Sequence, residues 1–329
     1  MPDRIVVLDG YTLSPAVPGQ VVPPGEPDWD AMGALGDLTV YDRTATGEVV
    51  KRAAGAAIVL TNKTPLPAEV IQQLPELKYI GVLATGVNVV DLTAAAEAGV
   101  VVTNIPGYSG DAVAQHVFAL LLEMTNRVAA HDRAVHDGGW ANCADFSFTL
   151  GPITELAGKT LGIVGAGDIG QRVAKIGHAL GMSILVSSRT ERDMGVPAEW
   201  TDVDNLFQQA DVVTLHAPLT DETQHLVNAE RLSRMKPTAY LINTARGPLI
   251  DESALALALN NETIAGAAVD VLSTEPPAKD NPLLTAPRCM ITPHNAWAAK
   301  EARHRLMQIA TDNVRAFIDG RPANQVKLP

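Results

Sequence analysis

The run Leu161-Gly-Ile-Val-Gly165-Ala166-Gly167-Asp168-Ile169-Gly170 joins an apolar strand to an amphipathic helix expected from Asp168 to Leu180. Each glycine of this run has its own physical reason. Gly165 permits a tight turn, Gly167 lets the backbone approach a pyrophosphate, and Gly170 lets the helix pack closely on the strand. The helix N-terminus, with unpaired N–H groups and partial positive charge, then faces the phosphates. A glycine-rich turn without a ligand is the alternative. The strand-loop-helix context favours a dinucleotide loop made by Gly165, Ala166, Gly167, Asp168, Ile169 and Gly170.

Outward from this run, short apolar strands alternate with helical patterns, as in α/β proteins with doubly wound parallel sheets. Downstream strands are expected at Ser183–Ser187, Val212–His216, Ala239–Asn243, Gly266–Val269 and Met290–Thr292. Upstream, a similar series is expected at Ile5–Asp9, Thr39–Tyr41, Ala57–Thr61, Tyr79–Val82 and Val100–Thr103. Two punctuated stretches, Asn104-Ile-Pro-Gly-Tyr-Ser-Gly110 and Thr292-Pro-His-Asn-Ala296, read as hinges. Long helices are expected after each, over Asp111–Arg127 and Ala298–Ile318.

The 329 residues suffice for two domains, and 47% hydrophobic against 19% charged residues indicates a globular protein. A net charge of −12 argues against a nucleic-acid partner, because phosphate contacts need a positive surface. It does not argue against an anionic substrate, whose local field one or two buried cations can set. Only two cysteines, Cys143 and Cys289, occur, outside any metal-ligand spacing. With no signal-like or membrane-spanning segment, a cytoplasmic location is expected, with neither disulfide, metal nor membrane contact.

An acid normally closes the second strand of a dinucleotide fold and grips the ribose of NAD. Here Ser188 stands at that place, followed by Arg189 and Thr190, with Arg192 nearby. Hydroxyls and a guanidinium suit a 2′-phosphate, so NADP(H) is favoured and NAD(H) remains possible. The alternative is that Arg189 only lies over the adenine and both dinucleotides serve.

Three segments follow later strands: Ile242-Asn-Thr-Ala-Arg246-Gly, Ala268-Val-Asp270-Val-Leu-Ser-Thr-Glu275-Pro, and Ile291-Thr-Pro-His294-Asn-Ala296-Trp297. Ligands of doubly wound sheets bind beyond the carboxyl ends of strands, so these segments converge on one crevice. Arg246 suits a substrate carboxylate, His294 suits proton transfer to a carbonyl oxygen, and Glu275 suits the other imidazole nitrogen.

In this order behind the glycine loop, the three segments resemble the D-isomer-specific 2-hydroxyacid dehydrogenases over essentially the whole chain. Within that family the sequence is most similar to the glycerate dehydrogenase, or hydroxypyruvate reductase, branch. The resemblance implies two Rossmann-like domains with the active site in the cleft between them. Residues 1–105 and 296–329 would form a discontinuous substrate-binding domain, and 106–295 the dinucleotide-binding domain. It implies reversible NAD(P)H-dependent reduction of a small 2-oxo acid, hydroxypyruvate or glyoxylate, to the D-2-hydroxy acid, and a homodimer joined through the cofactor domain. Arg246, Glu275 and His294 take the roles just given. The N–H groups of Thr85 and Gly86 join Arg246 on the carboxylate. Val113, His216, Ala217, Pro218, Thr244, Ala245, Asp270, His294 and Ala296 match positions along the cofactor. Gln115 stands where many relatives carry Glu. Other specificities, phosphoglycerate included, and a dinucleotide-sensing corepressor-like protein are the rival readings.

Among remaining candidates, His131 and His136 lie off one helical face, which disfavours a metal pair. His116, His178, His225 and His304 read as ordinary packing or surface residues. Trp140, Phe146 and Phe148 are expected to pack in the core, with a dimer arm or a pocket wall as the other options. Asn62 and Lys63 are weaker candidates for a substrate hydroxyl. Asp251-Glu252 reads as a helix start.

Overall fold

A computed structural model describes residues 3–13 and 25–327. The chain divides into two compact units, Met1–Ser109 with Ala298–Pro329, and Gly110–Trp297. The first division falls within the Asn104–Gly110 stretch, before its last residue, and the second just beyond the Thr292–Ala296 stretch. Tyr108 stays with the first unit because its carbonyl accepts from Arg305 Nε at 2.9 Å. Trp297 stays with the second because its Nε1 donates to the His294 carbonyl at 2.9 Å.

In the first unit, β1 (Arg4–Val7), β2 (Asp37–Val40), β3 (Ile58–Thr61), β4 (Tyr79–Val82) and β5 (Val101–Thr103) form a parallel sheet of order β2-β1-β3-β4-β5. Between them run α1 (Asp30–Gly33), α2 (Val49–Ala53), α3 (Ala68–Ile71) and α4 (Leu92–Glu97). Val6, Val59, Ile80 and Val102 are buried in one cluster with Val70, Leu74 and Ala95. The C-terminal helix returns to this sheet, its Phe317 ring 4.8 Å from that of Tyr79.

The second unit begins with α5 (Gly110–Asn126) and α6 (Val128–His136), the second of which was not foreseen in the sequence. There follow β6 (Thr160–Val164), α7 (Asp168–Ala179), β7 (Ser183–Ser187), β8 (Glu199–Trp200), α8 (Val203–Gln209), β9 (Val212–Leu215), α9 (Ala229–Arg234), β10 (Tyr240–Asn243), α10 (Glu252–Asn260), β11 (Gly266–Val269) and β12 (Cys289–Ile291). The returning helix of the first unit is α11 (Lys300–Ile318). The seven strands have the order β12-β11-β10-β9-β6-β7-β8. All neighbours are parallel, and β6 lies between β7 and β9, where the strand order reverses. Such a switch point opens a crevice outside the strand ends.

The sheet is covered on both faces, which explains why its strands read as unbroken apolar runs. Leu206, Phe207, Leu255 and Leu259 cover one face; Val117, Leu121, Val173 and Ala174 cover the other. Helix starts are locally encoded. Asp202, Asn228 and Asp251 each cap a helix by accepting the N–H three residues on. That start at Asp251 agrees with the sequence.

The aromatic segment after α6 corrects an expectation. Trp140 and Phe146 are 53% and 91% exposed rather than packed in the core. His131 explains why the segment stands where it does. Its Nε2 accepts the Leu150 N–H at 3.1 Å, so its Nδ1–H donates to the Arg127 carbonyl at 2.8 Å. Both ring nitrogens are thereby used in anchoring the loop. Among the described residues, no helix is long and apolar enough to cross a membrane.

Candidate active site

The glycine run lies at the switch point. Gly165 has φ +106°, and a Cβ there would come within 2.6 Å of the His216 carbonyl carbon. Its N–H donates to the Ser187 carbonyl, and the His216 N–H donates to the Val164 carbonyl. The loops after β6, β7 and β9 are thus stitched into one rim. A Cβ on Gly167 would meet nothing within 4 Å, so that residue faces open space. Gly167 also precedes α7 without any side chain capping the helix, which leaves its first N–H groups for an anion.

A groove of about 410 Å³ runs along this rim. Gly165, Ala166 and Gly167 line one side, Ser188, Arg189, Thr190 and Arg192 the end beyond β7, and His216, Ala217 and Pro218 the loop after β9. Asp168 turns away from it to bind Arg172, which also pairs with Asp111 and so ties α7 to α5. Ile169 and Gly170 follow in the first turn of α7, where Gly170 is packed against the Gly165 carbonyl.

His216 is half-buried on the rim of the groove. Loss of water pushes its pKa down to about 3, and Thr214 Oγ1 lies 2.9 Å from its Nε2. The folded chain therefore keeps this ring neutral, whereas the unfolded chain protonates it below about pH 6.5. Stability linked to His216 is fully present above that value and falls as pH drops from about 6.5 toward 3. The expected loss is at most about 2 kcal/mol between pH 7 and pH 5. Urea unfolding at the two pH values should show a smaller loss in His216→Gln. Equal pH slopes in the two proteins would refute the assignment.

Three neighbouring strands, β10, β11 and β12, carry the remaining candidates just past their ends. Asn243 shapes the first loop: its side chain accepts the Ala245 N–H at 3.0 Å and donates to the Arg246 carbonyl at 2.8 Å. Gly247 then packs directly on the next loop, since a Cβ there would overlap the Leu272 carbonyl group. The backbones that carry Arg246 and Glu275 are therefore in contact. Arg246 is half-buried and donates from its guanidinium to the Ala245 carbonyl at 2.7 Å. Among the described residues it forms no ion pair. A guanidinium carries five N–H donors in a planar fork, so the bond to Ala245 leaves others in a geometry that matches a carboxylate.

His294 Nδ1 and Glu275 Oε2 are 2.6 Å apart. Glu275 is itself fixed, its Oε1 accepting the Leu272 N–H at 3.1 Å. A carboxylate only accepts, so the Nδ1–H donates and Nε2 is the nitrogen left for chemistry. His294 has φ +51°, a left-handed backbone that costs a β-carbon residue of order 1 kcal/mol. The bonds around it hold that conformation: its N–H donates to the Asp270 and Thr292 carbonyls, and its carbonyl accepts from Trp297.

Asp270 is 2% exposed and organises the β12 loop. Its Oδ1 accepts from Thr292 Oγ1 at 2.6 Å and Asn295 N at 3.0 Å; its Oδ2 accepts from Ala296 N at 3.0 Å. Thr244 is buried, and its Oγ1 has no partner among the described residues. Together with open Gly167 and the uncapped helix, this orphaned hydroxyl fits a polar ligand along the rim. Val113 is buried in the first turn of α5, whereas Gln115 points to solvent.

Sequence reasoning missed His116, which reads there as a packing residue. Its Nε2 lies 3.0 Å from Thr292 Oγ1 and 3.6 Å from Asp270 Oδ1. A histidine within the first two turns of the post-hinge helix was the available signal.

In the first unit, Thr85 Oγ1 donates to the Ile105 carbonyl at 2.8 Å, and the Thr85 carbonyl accepts from Asn104 Nδ2. This pins the Thr85–Gly86 turn after β4. The loop after β3 is held by buried Asp9, which accepts the N–H groups of Asn62, Lys63 and Thr64 at 2.7, 2.5 and 2.6 Å. The Lys63 side chain is exposed.

Fold and site together define a dinucleotide-dependent oxidoreductase, and comparison with known proteins places it. Residues 118–296 match the NAD-binding domain of the D-isomer-specific 2-hydroxyacid dehydrogenases, and the chain belongs to that family. Its cofactor is a nicotinamide dinucleotide. It is 45% identical to a hydroxypyruvate reductase of Blautia hydrogenotrophica, over 98% of this chain and 99% of that one. It is 43% identical to a glycerate dehydrogenase of Methylorubrum extorquens, over 87% and 91%. The structure of an NADPH-dependent glyoxylate/hydroxypyruvate reductase of Sinorhizobium meliloti, in complex with NADP and malonate, superposes with TM-score 0.83 at 28% identity, covering 99% and 97%.

Proposed function

We propose that this enzyme reduces a short 2-oxo acid, hydroxypyruvate to D-glycerate or glyoxylate to glycolate, with NADPH preferred to NADH. The observation that carries the reading is a half-buried Arg246 that forms no ion pair among the described residues, on a loop packed against that of the Glu275–His294 pair. The names of the relatives support the substrate class. When bound, the nicotinamide supplies the hydride that reaches the carbonyl carbon.

The side chains supply the rest. Arg246 holds the substrate carboxylate with a planar fork and so fixes the direction of the carbonyl. The N–H groups of Thr85 and Gly86 are further donors to that carboxylate. His294 gives its Nε2 proton to the carbonyl oxygen as the C–O bond becomes single, and takes it back in the oxidation direction. Glu275 keeps the imidazole proton on Nδ1 and stabilises the charged ring before transfer. Asp270, Thr244 and Ala296 offer polar groups at the nicotinamide end, and Val113 an apolar wall. The preference for NADPH rests on Ser188, Arg189, Thr190 and Arg192 at one end of the groove, whose lining among the described residues contains a single carboxylate, that of Glu222.

Initial rates with NADPH and NADH in parallel test this. The ratio of kcat/KM should favour NADPH and fall about tenfold in Arg189→Ala, the worth of one charge-assisted contact. A wild-type preference for NADH, or an unchanged ratio in the variant, would remove the cofactor assignment and leave the reductase.

The exposed apolar side chains of residues 128–153 suit a second copy of the chain. Val128, Trp140, Phe146 and Ile153 are each more than half exposed there. Sedimentation should therefore show a dimer that weakens in Phe146→Asp; a wild-type monomer at micromolar concentration would contradict the proposal.

A further inference from the structure

We infer that His116 is a positioning residue for the reaction. It acts through Thr292 on the Asp270 carboxylate and the backbone that carries His294. The inference rests on the proposed placement of Asp270 at the nicotinamide end of the cofactor.

The direction of each hydrogen bond follows from the donors present. Asp270 as a carboxylate only accepts, so the single hydroxyl proton of Thr292 is committed to Oδ1, 2.6 Å away. Thr292 Oγ1 must then accept from His116, which requires the imidazole proton on Nε2. The result is a one-way chain from His116 Nε2–H to Thr292 and from Thr292 to Asp270. It begins on α5 and ends on a side chain that follows β11, spanning 176 residues of sequence in its first link. The same Nε2 lies 3.6 Å from Asp270 Oδ1, so its positive edge also faces the carboxylate directly.

This chain settles which acceptor sites of Asp270 are used. Oδ1 takes Thr292 and the Asn295 N–H, whereas among the described residues Oδ2 takes the Ala296 N–H alone. A carboxylate oxygen offers about two acceptor directions, so Oδ2 keeps one for a ligand donor. If the His116 link is lost, the Thr292 hydroxyl loses its fixed orientation and the carboxylate can rotate. His294 is coupled to the same frame, because its N–H donates to the carbonyls of both Asp270 and Thr292. Loosening therefore reaches the proton donor as well as the dinucleotide. A substrate carboxylate held by Arg246 is outside this frame, and its binding should be little changed.

The test compares His116→Phe, which keeps a ring and removes the donor, with His116→Gln, whose amide N–H can replace it. Dinucleotide affinity is read by fluorescence titration, and kcat and KM for hydroxypyruvate by initial rates. His116→Phe is expected to weaken the dinucleotide and lower kcat by about tenfold each, with KM within twofold, as for one hydrogen bond in a charged network. His116→Gln should recover to within about threefold. On a Thr292→Val background, where the chain is already cut, His116→Phe should cost less than twofold. Equal losses in the Phe and Gln variants would overturn the inference, as would full additivity with Thr292→Val. If His116→Phe does not fold, the Gln variant and Thr292→Val still decide: a Gln variant much weaker than Thr292→Val sinks the chain. Asp270→Asn separates this failure from that of the underlying reading. Reduced dinucleotide affinity there, with His116→Phe neutral, rejects only the role of His116, whereas an unaffected Asp270→Asn rejects the placement of Asp270 itself.

Discussion

Replacing His294 by Asn should lower kcat for 2-oxo acid reduction about a thousandfold, within the range for losing a positioned general acid. Dinucleotide affinity should stay within about threefold, because the backbone of the β12 loop is held by Asp270 and Trp297 rather than by the imidazole. Asn accepts a left-handed φ more readily than most residues, so the φ of +51° should survive the substitution. Glu275→Gln should be milder, about tenfold to a hundredfold. An amide in place of the carboxylate 2.6 Å from Nδ1 no longer stabilises the positive ring that precedes proton transfer. Initial rates with fluorescence titration of the dinucleotide decide both. A kcat within tenfold of wild type in His294→Asn would mean that another group delivers the proton.

Arg246→Gln should lower kcat/KM about a thousandfold. Two charge-assisted hydrogen bonds to a substrate carboxylate together contribute about 4 kcal/mol. Lys at this position keeps the charge but not the fork, and should recover only about tenfold of that loss. The fold should be indifferent to either change. Arg246 forms no ion pair among the described residues, and the loop is shaped by Asn243 and by the close contact of Gly247 with Leu272. Thermal unfolding of Arg246→Gln within 2 °C or so of wild type, beside the kinetic loss, separates substrate binding from stability. If KM is unchanged and the melting point falls instead, Arg246 is a structural residue.

The parts of this molecule that can be read in the sequence are those set by local spacing. The glycines of the Leu161–Gly170 run, the buried parallel strands and the Asp251 helix cap each follow from neighbours a few residues apart. The order of the Arg246, Glu275 and His294 segments is equally legible, because strand ends of a doubly wound sheet bring such segments together. What escapes is set by contacts distant along the chain. His116 looks like one more residue on an apolar helix until its bond to Thr292 is seen. Asp9, two residues past β1, organises the loop at residues 62–64. Trp140 and Phe146 carry no periodic signal that would tell a core residue from an exposed one, and composition alone points them inward. Strand β8, of two residues at the sheet edge, is too short to give a pattern.

Reduction of hydroxypyruvate by NADPH, with glyoxylate run in parallel and the glycerate product resolved by chiral chromatography, tests the central claim most directly. Saturable turnover that yields D-glycerate is the predicted result. Dinucleotide binding without turnover of either acid would contradict it and turn attention to other 2-oxo acids, then to a sensor of the dinucleotide; L-glycerate as product would contradict the proposed placement of Arg246 and His294 around the carbonyl.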